Sequence, residues 1–457
     1  MSTWATIREA VRGTEADLTA VGIRRAVVLL AIPSVLEMAM ESLFAVVDIF
    51  VVAKLGSDAV ATVGLTESLM GIVYTIAMGI AAGATALVAR RVGEKSLDRA
   101  AVAAGQAILL AVAGAVLVGV VGVTMSRQLL GAMGASDAVI AVGARYPEII
   151  LGGSGTVFVL FVVNAILRSA GDAAAAMRTL WLANGLNIVL APILVFGLGP
   201  VPRMGVEGAA VATTLSRGVG ILYQVLLLRR GRKLALHLAD FRPHLAALRE
   251  VLRLAVTASL QILVETASWI GLVRIVSTFG SIALAGYTVA MRIAVFALLP
   301  AWGNANATAT LVGQNLGAGK PARAEEAVRT VAKYNVAYLG GVGLLFAAIA
   351  PQLLALFADE PAVQTEGIAC LRIVALGLGV FAIGMVSIQA LNGAGDTITP
   401  LLVNLVAFWA CKLPLAFVLS RFLGTRGVYT AVTGAYALQS LVAWTLFRRG
   451  KWKTKKV

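Results

Sequence analysis

The stretch LAIPSVLEMAMESLFAVVDIFVVAKLG (residues 30–56) decides the class of fold. Apart from its acids and Lys54 it contains only apolar and small residues, and it continues an apolar run that begins at residue 26. A run of about 20 apolar residues crosses a hydrocarbon core of about 30 Å as a helix. The stretch therefore predicts a membrane-spanning helix, although three carboxylates lie within it: Glu37, Glu41 and Asp48.

The remainder of the chain has the same character. Its 457 residues are 59% hydrophobic and 13% charged, whereas soluble domains contain about 25% charged residues. Twelve apolar runs are long enough to span a bilayer. We therefore expect an all-α polytopic membrane protein with twelve transmembrane helices.

The net charge of +15 follows the ends of the apolar runs. With the N-terminus inside, 27 of the 38 Lys and Arg residues lie on the inner side, 6 on the outer side and 5 within spans. This asymmetry is typical of cytoplasmic loops and argues against a nucleic-acid partner. It predicts a multi-pass protein of the bacterial inner (plasma) membrane, in contact with membrane lipids and with both termini in the cytoplasm.

An internal repeat relates the two halves of the chain. One ungapped offset of 224 residues aligns residues 90–100 with 314–324, LRSAGD (167–172) with LNGAGD (391–396), and Glu41 with Glu265. We expect two pseudo-symmetric six-helix bundles related by an axis along the membrane normal. The predicted organisation is a cytoplasmic lead-in (1–25), an N-lobe (26–228), a linker loop (229–250), a C-lobe (251–447) and a basic tail (448–457).

The acids of the first span lie on one face of the helix. Glu37, Glu41 and Asp48 are separated by four and seven residues, which places them on one stripe. Such a stripe should face a water-filled cavity, to which Glu67 of the second span adds a carboxylate, and Pro33 permits a kink beside it. Crowded carboxylates in a low dielectric favour protonation, so the stripe suits exchange of a proton or Na⁺ for an organic cation. The alternative is that intramembrane bases pair with the acids, which then serve only packing.

The second half of the chain contains a counterpart of this acid stripe, with only one acid. Gln261, Glu265 and Ser268 form the corresponding stripe, and the eighth span contains Asn306 and Tyr287. These residues either line a cavity of the C-lobe or hold helices together. An aromatic face can also bind a cation.

The sequence contains no arrangement typical of an enzyme. GQNLGAGKP (313–321) lacks the spacing and the final Ser or Thr of a phosphate-binding loop. Cys370 and Cys411 both lie in apolar runs, and no nucleophile–base or metal-binding spacing is present. We therefore expect a protein that is not an enzyme and needs no cofactor.

The chain resembles the MATE (multidrug and toxic compound extrusion) family of the MOP superfamily. The resemblance rests on residues 30–56, VGQNLGAGKPARA (312–324), and the two motifs LRSAGD and LNGAGD, in this order within a duplicated twelve-span chain. It implies two six-helix bundles in a V shape that export organic cations and drugs in exchange for Na⁺ or H⁺.

The resemblance also implies roles for individual residues, with mixed DinF-like and NorM-like features. Asp48 matches the coupling aspartate of the DinF-like branch, and Asn187 and Thr213 match polar residues of its fifth and sixth helices. Ala191 stands where that branch has a further aspartate. Glu265 resembles the seventh-helix glutamate of the NorM-like branch, whose tenth-helix aspartate is replaced by Phe381.

The sequence thus predicts a monomeric antiporter for amphipathic organic cations and drugs. Its coupling residues would be Asp48, Glu41, Glu265 and Glu37, with H⁺ favoured over Na⁺ because both Na⁺ sites lack an acid. A Na⁺ site at Asp48 and Asn187 is the alternative. A lipid-linked precursor flippase of the same superfamily would need a more basic cavity, and an intramembrane enzyme would need a catalytic constellation.

Overall fold

The computed structural model describes residues 3–231 and 233–455, which form helices joined by turns. Residues 1, 2, 232, 456 and 457, parts of the predicted lead-in, linker and tail, lie outside the described residues. A short amphipathic helix, α1 (Thr3–Arg12), precedes the long helices.

Two bundles follow α1. The N-lobe consists of α2 (Ile23–Ala53), α3 (Ser57–Gly93), α4 (Leu97–Ala132), α5 (Asp137–Gly143), α6 (Arg145–Gly152), α7 (Gly155–Ser169), α8 (Ala173–Phe196) and α9 (Val206–Arg230). The C-lobe consists of α10 (Leu245–Ser277), α11 (Ser281–Gly317), α12 (Pro321–Ala348), α13 (Ala350–Ala355), α14 (Pro361–Gly393), α15 (Ile398–Asn404), a π-helical stretch (Leu405–Lys412), α16 (Leu413–Leu423) and α17 (Thr425–Arg448).

Ten spans in the described part of the chain are long and apolar enough to cross a membrane. Helices α2 and α17, of 31 and 24 residues, complete the twelve. The connection between the lobes runs from 231 to 244, shorter than the predicted 229–250, because α9 continues through Arg230 and α10 begins at Leu245.

The repeat is visible in the geometry of the two lobes. Helices α3 and α11 both have 37 residues, and they follow Gly56 and Gly280, whose φ angles are 99° and 96°. The LRSAGD and LNGAGD motifs end one helix and begin the next. In each, a carboxylate (Asp172 or Asp396) accepts a backbone hydrogen bond from the following helix. These motifs therefore have a structural role as helix–turn–helix junctions.

The first helix of each lobe packs on the second helix of the other, α2 on α11 and α10 on α3. Where α3 crosses α11, a Cβ added to Gly93 would lie 2.0 Å from the carbonyl oxygen of Gln314. A Cβ added to Gly317 would lie 2.1 Å from that of Arg90. We call this end of the bundle, which also holds α1 and residues 449–455, the terminal side, and the opposite end the distal side.

The lobes pack tightly from the terminal side as far as Gly79 in α3, where an added Cβ would lie 1.9 Å from Oγ of Ser259 in α10. Gly56 and Gly64, in the distal part of the N-lobe, and Gly280 of the C-lobe have no atom of another element within 4 Å of an added Cβ. The contacts at Gly93 and Gly317 are therefore the tight end of a seam that loosens towards the distal side.

Both ends of the chain bridge the lobes on the terminal side. After α1, the backbone carbonyls of Thr19 and Leu18 accept hydrogen bonds from Lys320 (2.9 Å) and Arg323 (3.1 Å) of the C-lobe. The tail folds into a short 3₁₀ helix, Lys451–Thr454, and buries Trp452 against Phe447 with ring centroids 5.0 Å apart.

Ionic contacts complete these bridges. Arg90 of the N-lobe donates to the carbonyl of Lys455, whose ammonium lies 3.3 Å from Asp396 of the C-lobe. Helix α1 is held by Glu9 and Arg25, 2.9 Å apart. A hydrogen bond from Thr14 and this ion pair lower the pKa of Glu9.

Candidate functional site

Glu37 lies in a buried ion pair between α2 and α7. Its Oε1 is 2.6 Å from Nη1 of Arg168 and accepts a second hydrogen bond from Asn164 at 3.3 Å. Only 2% of the Glu37 side chain is exposed. At the positions offset by 224 residues, Gln261 and Asn392 form the neutral equivalent at 3.2 Å. Because both lobes have this contact, its geometry favours a packing role for Glu37, and its predicted coupling role stays a prediction.

Glu41 and Asp48 lie further along α2. Oε2 of Glu41 accepts a hydrogen bond from Nδ2 of Asn184 in α8 at 2.8 Å. Oδ1 of Asp48 is buried and has no hydrogen-bond partner among the described residues. A buried acceptor without a partner is costly. Oε2 of Glu37 also has no partner among the described residues, but Oε1 of that carboxylate is paired with Arg168. Asp48 has no such ion pair in the described part of the chain, so its environment leaves a ligand or a proton to be bound.

One base serves these two acids. Arg217 of α9 is 5% exposed and interacts electrostatically with both Glu41 and Asp48. Its Nη2 donates to the hydroxyl of Tyr74 at 3.0 Å, and its guanidinium lies 5.9 Å from the ring centres of Tyr74 and Phe44. This places an arginine between aromatic rings and the acid stripe.

Two predicted supporting residues are brought together. Nδ2 of Asn187 in α8 donates to Oγ1 of Thr213 in α9 at 3.0 Å. Asn184 lies three residues before Asn187, and Arg217 lies four after Thr213, so each new residue shares a helix face with a predicted one. That spacing is the signal by which the sequence alone could have identified Asn184, whereas Arg217 is already recognisable in the sequence as an intramembrane base of the N-lobe.

The other predicted residues of the N-lobe lie at its edges. Helix α2 contains no non-helical residue at Pro33, which is buried. Glu67 is exposed on α3 and interacts electrostatically with Asp48 of the acid stripe and with Arg292 of α11, in the other lobe. No ion pair within 4.0 Å joins these two among the described residues, so Glu67 faces the C-lobe across a gap.

The acid of the C-lobe is balanced by a base of its own. Glu265 interacts electrostatically with Lys412, whose Nζ donates to Oγ of Ser268 at 2.7 Å and lies 4.5 Å from the ring centre of Phe408. Phe381 and Tyr436, 4.1 Å apart, pack nearby. The C-lobe therefore encloses a compensated pair among aromatic rings.

The remaining predicted residues of the C-lobe have separate partners. Gln261 pairs with Asn392, Tyr287 is 2% exposed and stacks on Tyr429 at 6.2 Å, and Asn306 accepts a hydrogen bond from Gln389 at 3.2 Å. No described contact joins them into one cavity. Their geometry favours the alternative that they hold helices together.

No cluster of three or more His, Cys, Asp or Glu side chains that could hold a metal occurs among the described residues. Around Asn187 and Thr213, Ala191 is 1% exposed and contributes only a methyl group. The side-chain oxygens that the described contacts bring together here are those of Asn187 and Thr213.

Comparisons with known proteins agree with this architecture. The chain is 28% identical over 443 residues to "Probable multidrug resistance protein NorM" of Thermotoga maritima, covering 95% of this chain and 94% of that protein. It is 26% identical to the "FAD transporter" of Shewanella oneidensis, covering 89% and 90%. A solved structure described as the outward-facing conformation of a multidrug resistance MATE family transporter of the MOP superfamily matches with a TM-score of 0.89 and 27% identity, covering 98% of this chain and 99% of that one.

The likeness to that structure over nearly the whole chain confirms the predicted fold class, twelve transmembrane helices in two bundles. The MatE family matches residues 33–193 and 258–418, two segments that follow the internal repeat. This match confirms that the protein is a membrane transporter and not an enzyme. The chain belongs to the MatE family.

Proposed function

We propose that the protein exports amphipathic organic cations by proton antiport with alternating access. The relative named for multidrug resistance supports organic cations and drugs as substrates. Another relative is named for FAD, an anionic dinucleotide, so membership of the family leaves the class of substrate open. The charge of the site is therefore what distinguishes a cationic from an anionic substrate.

The observation behind the proposal is an excess of carboxylates over bases in the N-lobe. Glu41 and Asp48 share one base, Arg217, whereas Glu265 of the C-lobe has Lys412 to itself. An uncompensated carboxylate away from water attracts a cation or takes up a proton. The site therefore suits a cationic substrate and opposes the phosphate groups of a lipid-linked precursor.

The exchange follows from this charge balance. With Glu41 and Asp48 ionised, these two acids and Arg217 together have one net negative charge. The rings of Phe44 and Tyr74 offer faces to an organic cation. With Asp48 protonated, the site is neutral and the cation loses its counter-ion. Proton and substrate thus exclude each other, and release of one accompanies binding of the other.

Protons suit the donor set better than Na⁺. Thr213 and Asn187 already bond to each other, and Ala191 adds no oxygen ligand. A hard cation requires several oxygen ligands at once, whereas a proton needs only the carboxylate. Na⁺ coupling, with Asp48 and Asn187 as ligands, is the alternative outcome of the test.

Transport in proteoliposomes tests this proposal, with ethidium as the probe and either ΔpH or ΔNa⁺ as the only gradient. We expect ΔpH alone to drive transport, with at least a tenfold loss in Asp48→Asn and a smaller one in Glu41→Gln. Asp359→Asn and Glu326→Gln, at exposed positions, are the matched controls. Full rates in both site variants would refute the assignment, and transport driven by ΔNa⁺ alone would identify Na⁺ as the coupling ion.

We also propose a monomer in the bacterial plasma membrane with its terminal side in the cytoplasm, divided into lobes at 26–228 and 251–447. The distribution of Lys and Arg supports this orientation, and one chain supplies both halves of the seam. Single cysteines at Ser57 and Arg449 test the orientation in intact cells. An impermeant maleimide should label position 57 and not 449, and the reverse pattern would invert the topology.

A further inference from the structure

A second charged cavity lies on the terminal side of the N-lobe, apart from the acid stripe. It has a volume of about 200 Å³ and is enclosed by the ends of α7 and α9, the start of α8 and the turn after α9. Arg178, Arg230 and Lys233 line it together with one carboxylate, Asp172. Its wall therefore has an excess of two positive charges.

The two arginines of this wall keep guanidinium donors available. Arg178 uses Nη1 for the carbonyl of Arg12 at 3.3 Å, and Lys233 donates to the carbonyl of Ala16 at 3.0 Å. Asp172 caps α8 by accepting from the backbone N–H of Ala175 at 3.1 Å. Neither Arg178 nor Arg230 forms an ion pair with any described residue. A guanidinium has five N–H donors in a planar fork that matches phosphate.

Apart from Tyr223, the remainder of the lining is apolar. Leu227, Leu228 and Leu234 are among the residues that form it. On α9, the neighbouring Leu222 and Leu226 are 66% and 51% exposed, on a helix long and apolar enough to span the membrane. The cavity thus joins a cationic wall to a hydrocarbon-facing helix end, the arrangement by which basic pockets between membrane helices hold anionic headgroups.

We propose that this cavity binds a phosphate ester, presented by the headgroup of an anionic phospholipid or by a free phosphate. Arg178 and Arg230 bind the phosphate oxygens, Lys233 adds charge, and the leucines pack against the adjoining carbon atoms. Arg178 bonds to the last residue of α1, and Lys233 bonds to the segment that follows it. The ligand therefore lies beside the segment that reaches the C-lobe at Lys320.

Thermal unfolding of the full-length protein in detergent tests the proposal. The probes are phosphatidylglycerol, phosphatidylcholine and inorganic phosphate, added separately. A ligand that binds only the folded state raises the unfolding midpoint. We expect phosphatidylglycerol to raise it in the wild type, with a response lost in Arg178→Gln/Arg230→Gln and kept in Arg178→Lys/Arg230→Lys. The control is Arg229→Gln/Arg449→Gln, which removes two exposed charges outside the cavity.

Arg230→Gln alone guards against a folding defect, because Arg230 is exposed and makes no bond to a described residue. In this variant, about tenfold more phosphatidylglycerol should be needed to reach half of the maximum rise in the unfolding midpoint. This is the effect expected for the loss of one charge-assisted hydrogen bond. A response to inorganic phosphate as well supports a free phosphate as ligand, and a response to phosphatidylglycerol alone supports a lipid headgroup. Equal responses in the cavity and control variants, or none in the wild type, would overturn the proposal.

Discussion

The reciprocal contact of Gly93 and Gly317 makes a quantitative prediction about the conformational equilibrium. An alanine Cβ at Gly93 would lie 2.0 Å from the Gln314 carbonyl oxygen, whereas such contacts essentially never fall below 3.0 Å. Helices α3 and α11 must therefore separate by about 1 Å on the terminal side. Overpacking of this kind costs about 1–3 kcal/mol, which shifts a two-state equilibrium by about 5- to 150-fold.

Only the state with the terminal side closed bears this cost, so Gly93→Ala should favour the state in which the distal side closes. Nitroxides at Ser57 and Ser281, exposed residues at the distal ends of α3 and α11, report the separation of the lobes. The parent protein for labelling would have Cys370 and Cys411 replaced, because both are free thiols. We expect the distance distribution from pulsed electron paramagnetic resonance to shift to shorter values, and Gly317→Ala to act in the same way.

Gly64→Ala is the matched control, because it lies in the same helix and a Cβ there meets nothing within 4 Å. Its distribution should equal that of the parent. The reasoning fails if Gly93→Ala and Gly317→Ala both leave the distances unchanged in folded, membrane-inserted protein.

Three further predictions concern stability. Arg168→Asn alone leaves Glu37 buried without its counter-ion and should lower the free energy of unfolding by about 3–5 kcal/mol. Adding Glu37→Gln recreates the neutral pair of the C-lobe and should restore most of the thermal midpoint. A double variant that is no more stable than the single one would contradict the pairing. Trp452→Ala should expose the tail to cleavage by trypsin, since truncating a buried Trp costs about 3–5 kcal/mol. Trp4 is 76% exposed, so Trp4→Ala should leave the tail protected. Equal cleavage of the tail in the two variants would show that it is not docked. The pKa of Glu9 is lowered from 4.5, so its contacts stabilise the docking of α1 above that pH and are lost as the pH falls through the lower, folded value. A nitroxide on α1 should therefore gain mobility as the pH falls below 4.5, and in Glu9→Gln it should be mobile at neutral pH. Unchanged spectra would exclude this role of Glu9.

The sequence predicted those features that depend on local pattern. Apolar runs identify the spans because a bilayer requires about 20 apolar residues per helix, and the single offset of 224 residues predicted the symmetry now seen in Gly93 and Gly317. The spacing of Glu41 and Asp48 predicted that they share a helix face. All of these arguments rest on residues close in sequence or on comparison of one half with the other.

The partners of the acids depend on tertiary packing instead. Arg168 lies 2.6 Å from Glu37, although the two residues are 131 positions apart in the sequence. Lys412 reaches Ser268 across 144 residues. No helical period relates such positions, because the approach of α7 to α2 or of the π-helical stretch to α10 is decided by the packing of whole helices. Likewise, the basic composition of the tail gave no sign that Trp452 is buried on Phe447.

The central claim is that one excess carboxylate in the N-lobe is used alternately by a proton and a cation. Its most direct test is the number of protons released when purified protein in weakly buffered detergent binds tetraphenylphosphonium, measured between pH 5 and 8. The wild type should release up to about one proton per cation bound, because Arg217 compensates one of the two acids, and Asp48→Asn/Glu41→Gln should release none. Binding without proton release across this range, or release that is unchanged in the double variant, would contradict the account.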